Sequence, residues 1–205
     1  MRGTFVTLEG GEHAGKSTQV AALVERARDA GIETITCREP GGTEIGERLR
    51  AALFGLGRAP TALTELLTFS AARAELVATV IQPALEGGAS LVLCDRFTDS
   101  TVAYQGYGRG LDLDTIAAVN RAATGGLVPD LTVLLDVATE TALTRQADGS
   151  DYLEREAKEF HERVRTGFLR CAEKEPERWL VLDGASERAA ITSSIWERIE
   201  ALLKR

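Results

Sequence analysis

The stretch TFVTLEGGEHAGKSTQVAALVERARDAG, residues 4–31, decides the fold. It opens on a short apolar run, turns through glycines and continues with helical periodicity, Val20, Leu23, Val24 and Ala27 falling on one face before Gly31. Between run and helix, Gly10-x-x-x-x-Gly15-Lys16-Ser17 fits a phosphate-binding loop in its required strand–loop–helix setting. Gly10 and Gly15 admit backbone conformations that a side chain would block, so successive N–H groups can turn inward on phosphate oxygens. The helix opening near Lys16 adds its positive dipole end. Lys16 is placed to reach β- and γ-phosphates, and the Ser17 hydroxyl to ligate Mg²⁺. The stretch therefore predicts a nucleoside triphosphate site built from Gly10, Gly11, Glu12, His13, Ala14, Gly15, Lys16, Ser17 and Thr18.

Further along, ETITCRE (33–39), SLVLCDR (90–96), LTVLLDV (131–137) and RWLVLDG (178–184) are short and rich in Val, Leu and Ile. Near-continuous runs of this kind are strands of a parallel sheet covered on both faces. Helical stripes separate them, among them Phe160, Val164, Phe168 and Cys171 within 153–174, and Ile191, Ile195, Ile199 and Leu202 near the C-terminus. The expectation is an α/β fold: a doubly wound, five-stranded parallel sheet of the P-loop type with helices on both faces. No repeat or linker divides residues 1–205, so one domain is expected, with glycine-rich loops at 106–110 and 147–151.

Composition narrows the partners. A formal charge of −7 disfavours a general nucleic-acid binder, because phosphate backbones attract basic surfaces. No apolar stretch approaches the ~20 residues that span a bilayer, so no membrane partner is expected. The start of the chain lacks a basic region and cleavage site, and Cys37, Cys94 and Cys171 form no metal or disulfide spacing. A reduced, cytoplasmic protein is predicted, with Cys37 and Cys94 as buried, inert thiols.

SLVLCDR ends in Asp95, where an acid at a strand's C-terminal end would hold Mg²⁺ or its water shell together with Ser17. Arg96 follows at once; Arg38 ends the second run, and Arg73 lies in the helical LLTFSAARAELV. These three arginines from separate segments are expected to converge above the sheet's C-terminal edge and grip phosphate. The N-K-x-D motif by which GTPases read their base is absent.

In LEGGEHAGKSTQ, REPGGTEIGERLR, LLTFSAARAE, DRFTDSTVAYQGYGRGL, VPDLTVLLDV and WLVLDG, taken in order, the chain resembles the bacterial thymidylate kinases. That resemblance implies transfer of the ATP γ-phosphate to dTMP, giving dTDP, on a P-loop scaffold with a small lid (145–156), with Mg²⁺ as cofactor and usually as a homodimer. It implies that Glu12 contacts the acceptor's 3′-hydroxyl and that Arg38, Arg73 and Arg96 hold the dTMP phosphate. Phe69 would stack on thymine, Ser100, Thr101 and Gln105 would read the base edge, and Tyr104 would pack under the deoxyribose. Lys16, Asp95, Arg96 and Arg145 are the expected catalytic set.

The lid departs from the family pattern. Here it reads RQADGSDYLERE, with Tyr152 where an arginine is usual, and the P-loop position that carries arginine in some relatives is His13. Arg145 is the leading candidate for γ-phosphate stabilisation, with Arg155 and His13 as alternatives. His161 reads as solvated surface, and Asp151 and Glu154 as groups that cap or orient the lid. Three rivals stay open: a kinase of another nucleoside monophosphate or of a deoxynucleoside, a slow member with a degenerate lid, and a P-loop switch.

Overall fold

The computed structural model describes residues 2–56, 58–145 and 151–204. Five parallel strands, β1 (Thr4–Glu9), β2 (Thr34–Arg38), β3 (Leu91–Asp95), β4 (Leu131–Asp136) and β5 (Trp179–Asp183), form one sheet in the order β2-β3-β1-β4-β5. The chain moves to one side of β1 for β2 and β3, then to the other for β4 and β5. The crevice at the carboxyl end of β1 is thus the topological switch point where such sheets bind ligands.

Strand alternation sorts the core into two faces. Val6 and Leu8 join Leu91, Leu93, Val133 and Leu135 against α1 (Lys16–Asp29) and α9 (Arg188–Leu203). Phe5 and Val92 face the opposite way, against the helix made of α3 (Ala62–Leu76), a π-helical turn (77–81) and α4 (Gln82–Gly87). The same side carries α5 (Thr98–Thr101), a second π-helical turn (102–108), α6 (Leu113–Thr124) and α8 (Lys158–Lys174). With apolar side chains buried on both faces, the strands have the composition of a covered sheet rather than a half-wet one.

Local chemistry fixes the helix starts. The Thr43 hydroxyl accepts from Gly46 N at 2.9 Å to begin α2 (Glu44–Phe54), and Asp112 accepts from Thr115 N at 2.8 Å to begin α6. α7 (Thr139–Thr144) is one short turn-and-a-half before the segment expected to be the lid.

Two expectations are corrected. Residues 106–108 belong to the second π-helical turn, not to a loop. Its glycines serve packing: a Cβ on Gly108 would stand 2.7 Å from the Phe160 ring of α8. The helix expected from 153 begins at Lys158, because the Asp151 carboxylate accepts from Leu153 N and Glu154 N at 2.8 and 2.9 Å and folds 151–157 into a turn. The predicted loop at 147–151 lies, apart from Asp151, outside the described residues.

Candidate active site

The loop between β1 and α1 is shaped by backbone that few side chains tolerate. Gly10 has φ +141°, and a Cβ there would meet Leu135 O at 2.6 Å. His13 adopts φ +56° without being glycine, and Gly15 at φ +95° opens α1. Lys16 turns back into the loop, its Nζ donating to Gly10 O at 3.1 Å and Gly11 O at 2.7 Å. Burial, then the neighbouring Arg96, pulls its pKa down to about 8.

The end of β3 meets this loop. Ser17 Oγ donates to Asp95 Oδ2 at 2.7 Å, so the hydroxyl and carboxylate predicted to hold Mg²⁺ are side by side. They are hard oxygen donors, the chemistry this cation selects. Arg96 takes a left-handed φ of +72° and reaches across the crevice. Its Nη1 donates to Gly10 O (3.1 Å) and Ser100 Oγ (3.2 Å), and its Nη2 to Glu12 Oε1 (2.7 Å). Tyr104 Oη donates to the same Glu12 oxygen at 2.7 Å. Burial opposes the charge on Glu12, but Arg96, Lys16 and the Tyr104 hydroxyl outweigh it and hold the carboxyl at about 2.

Behind them Glu9, fully buried, accepts from Phe97 N (2.8 Å) and Ser100 Oγ (2.6 Å), pinning the turn that carries Arg96. Burial, then Asp99, pushes its carboxyl up to about 8.

A pocket of about 570 Å³, including its mouth, opens beside this cluster. Glu12, Phe69, Arg73, Arg96, Ser100, Thr101, Tyr104 and Gln105 all line it. It is thus the place where the predicted acceptor-site residues meet, with one exception and one qualification.

The exception is Arg38, which is exposed and donates through Nη2 to both oxygens of Glu47 at 2.9 Å. The qualification is Arg73, which lines the pocket while its guanidinium is held by protein partners. Nε donates to Glu39 Oε2 (2.7 Å), Nη1 to Thr101 Oγ1 and Asn120 Oδ1 (2.9 Å each) and Nη2 to Phe97 O (3.0 Å), and the Arg73–Glu39 pair is an ion pair at 2.6 Å. Arg73 and Arg96 therefore meet at one pocket and Arg38 stands outside it, with Arg96 joined to the P-loop as well.

Sequence reasoning missed Arg50, which lines the pocket with its guanidinium 4.6 Å over the Phe54 ring and Nη1 on Pro40 O at 3.2 Å. It also missed Glu39, Phe54 and Leu153, and gave Asp151 only a lid role. One signal was available: Glu65, Phe69 and Arg73 recur every fourth residue, so all three share a face of α3.

The expected lid lies partly outside the described residues, at 146–150. Arg145 is exposed, its Nη1 donating to Gly184 O at 3.3 Å, and Arg155 is exposed as well. Tyr152 is buried, its ring stacked 5.6 Å from Phe54 of α2. His13 Nε2 lies 3.6 Å from Glu154 Oε1, linking the P-loop to this segment. His161 is partly buried rather than solvated surface: it lines a second cavity with His13, Glu154 and Phe168, and burial lowers its pKa.

All three cysteines are free. Cys94 is buried, and burial raises its thiol pKa well above the ordinary value; Cys37 is only partly buried, not enclosed as expected.

A phosphate loop paired with an acidic strand end, beside an arginine-lined pocket at the switch point, defines a P-loop nucleotide kinase. The family model for thymidylate kinase matches residues 8–195. A thymidylate kinase of Synechococcus sp. is 50% identical over 199 residues, covering 97% of this chain and 95% of that protein. One of Dehalococcoides mccartyi is 47% identical, covering 97% and 96%. The crystal structure of thymidylate kinase from Ehrlichia chaffeensis superposes with a TM-score of 0.81 at 32% identity, covering 98% of this chain and all of that one. The chain belongs to the thymidylate kinase family.

Proposed function

We propose that this chain transfers the γ-phosphoryl group of ATP to dTMP, yielding dTDP and ADP, with the P-loop as donor site and the adjoining pocket as acceptor site. The observation that carries the reading is the contact of Arg96 with both sides: one nitrogen on the P-loop carbonyl of Gly10, the other on Glu12 beside the pocket. Lys16 leaves its loop carbonyls for the β- and γ-phosphates, and Arg96 offsets repulsion between two anions brought into line. The acceptor's own phosphate oxygen is the nucleophile, so no enzyme nucleophile is required. Ser17 and Asp95 would hold Mg²⁺, which supplies charge neutralisation at the donor phosphates.

Within the pocket, Phe69 offers a face for the pyrimidine, and Thr101 and Gln105 its polar contacts. Glu12 and Tyr104 flank the sugar, while Ser100 lies next to Arg96. Arg50 is better placed than Arg38 to attend the acceptor phosphate, being in the pocket lining. Arg73 serves the base end of the pocket through Thr101. The segment 145–156 acts as the lid. With Arg145 and Arg155 exposed and Tyr152 stacked on Phe54, we assign the transition-state charge to Lys16 and Arg96, with His13 beside them.

Among the described residues no helix is long and apolar enough to cross a membrane. We place the enzyme in the cytoplasm as a homodimer. Exposed Leu63 and Leu67, one turn apart on α3 and each about half exposed (51%), supply an apolar face for a second copy.

The test is a panel of dTMP, dUMP, dCMP, dGMP and thymidine with Mg-ATP. Preference for dTMP, with dUMP next, is expected; preferred turnover of any other acceptor would overturn the assignment.

A further inference from the structure

One face of α3 carries Glu65, Phe69 and Arg73 at successive turns; Phe69 and Arg73 line the pocket and Glu65 does not. The outer two each hold a polar side chain of the neighbouring helical segment. Arg73 Nη1 donates to Thr101 Oγ1 at 2.9 Å, and Gln105 Nε2 donates to Glu65 Oε1 at 2.7 Å. Glu65 is fully buried, and Arg109 grips both of its oxygens, with Nε on Oε1 at 3.2 Å and Nη2 on Oε2 at 3.1 Å. Arg109 is itself tied to Glu156 by Nη1 at 2.5 Å.

These contacts fix polarity as well as position. A carboxylate paired with a guanidinium can only accept, so the amide nitrogen of Gln105 must face Glu65. The amide oxygen Oε1 is then the atom left over, on a side chain that lines the pocket, and no donor among the described residues takes it. Thr101 is set the opposite way. A guanidinium can only donate, so Thr101 Oγ1 must accept from Arg73 and its O–H remains to donate.

Thr101 and Gln105, four residues apart and both lining the pocket, thus present a donor beside an acceptor. The imide edge of thymine or uracil, a carbonyl oxygen beside N3–H, is its complement. Cytosine presents the reverse, an unprotonated N3 beside an amino group.

We propose that Glu65 is a specificity-determining positioning residue: by locking the Gln105 amide with its oxygen toward the pocket, it selects an N3–H pyrimidine and rejects cytosine. This rests on the pocket being the dTMP site. Glu65 does not touch substrate; it acts through Gln105. Its neutral isostere, Glu65→Gln, can accept from or donate to Gln105, so the amide is free to turn over.

The experiment compares kcat/KM for dTMP and dCMP in the wild type and in Glu65→Gln, with ATP saturating. The variant is expected to lower the dTMP-to-dCMP ratio about 10- to 100-fold, the scale on which mispaired buried polar groups discriminate substrates. KM for ATP should stay unchanged. Equal losses on both substrates, with the ratio preserved, would overturn the proposal and leave Glu65 a structural residue.

A second measurement needs no variant and decides the matter if Glu65→Gln does not fold. Wild-type enzyme should bind N3-methyl-dTMP at least about 100-fold more weakly than dTMP, because the methyl group replaces the hydrogen that Oε1 accepts. Equal binding of the two would overturn the inference. A wild type that does not prefer dTMP in the acceptor panel would overturn the functional reading instead, so the two failures are distinguishable.

Discussion

At the scale of single residues, Lys16 is the side chain with the clearest pH signature. Burial brings its pKa to about 8, so its ammonium is charged below that pH and neutral above it. The phosphate-binding form is the charged one. In the free enzyme, kcat/KM for ATP should therefore fall above pH 8, approaching about tenfold per unit. Bound phosphates favour the ammonium, so kcat itself should hold to higher pH. Lys16→Arg should push the falling limb upward, since a guanidinium keeps its charge. A flat kcat/KM profile through pH 10 would remove Lys16 from the assigned role. Lys16→Ala should lower kcat by about 10²–10³, the loss seen when one preorganised donor is deleted from a buried site; single-turnover kinetics would measure it.

Among the elements, the strands and the P-loop were legible because both are local: a run of Val, Leu and Ile or a glycine spacing states its own geometry. What could not be read were pairings at long sequence separation. Arg73 is held by Glu39, Asn120 and Phe97, and nothing in LLTFSAARAELV points to partners that distant. Arg38 stands outside the pocket for a nearer reason, since Glu47 stands only nine residues on but reaches it through the turn into α2.

The start of α8 was misplaced because Asp151 captures two backbone N–H groups that a longer helix would have used. Tyr152 belongs to this turn, and its stack on Phe54 ties the turn to α2. Tyr152→Ala should raise KM for dTMP about two- to tenfold, the equivalent of one aromatic pair at about 0.5–1.5 kcal/mol. kcat for dTMP should change less than KM; a large fall in kcat with KM unmoved would mean that the tyrosine works on the transferred phosphoryl group.

For the whole molecule, the exposed leucines of α3 make association the property to measure. Leu67→Glu would set a charge in any interface formed there, so light scattering should report a dimer for the wild type and a monomer for the variant. A variant that stays dimeric would move the interface to another face.

Stability is the other global property, and the backbone at His13 bears on it. A left-handed φ of +56° costs a side-chain-bearing residue about 1 kcal/mol relative to glycine, while its 3.6 Å approach to Glu154 is long for an ion pair and returns little. His13→Gly should therefore move the urea midpoint upward even as it strips an imidazole from beside the phosphates. If turnover falls while the midpoint rises, this chain has kept a residue its folding equilibrium would discard, and selection at that position has acted on rate rather than on robustness.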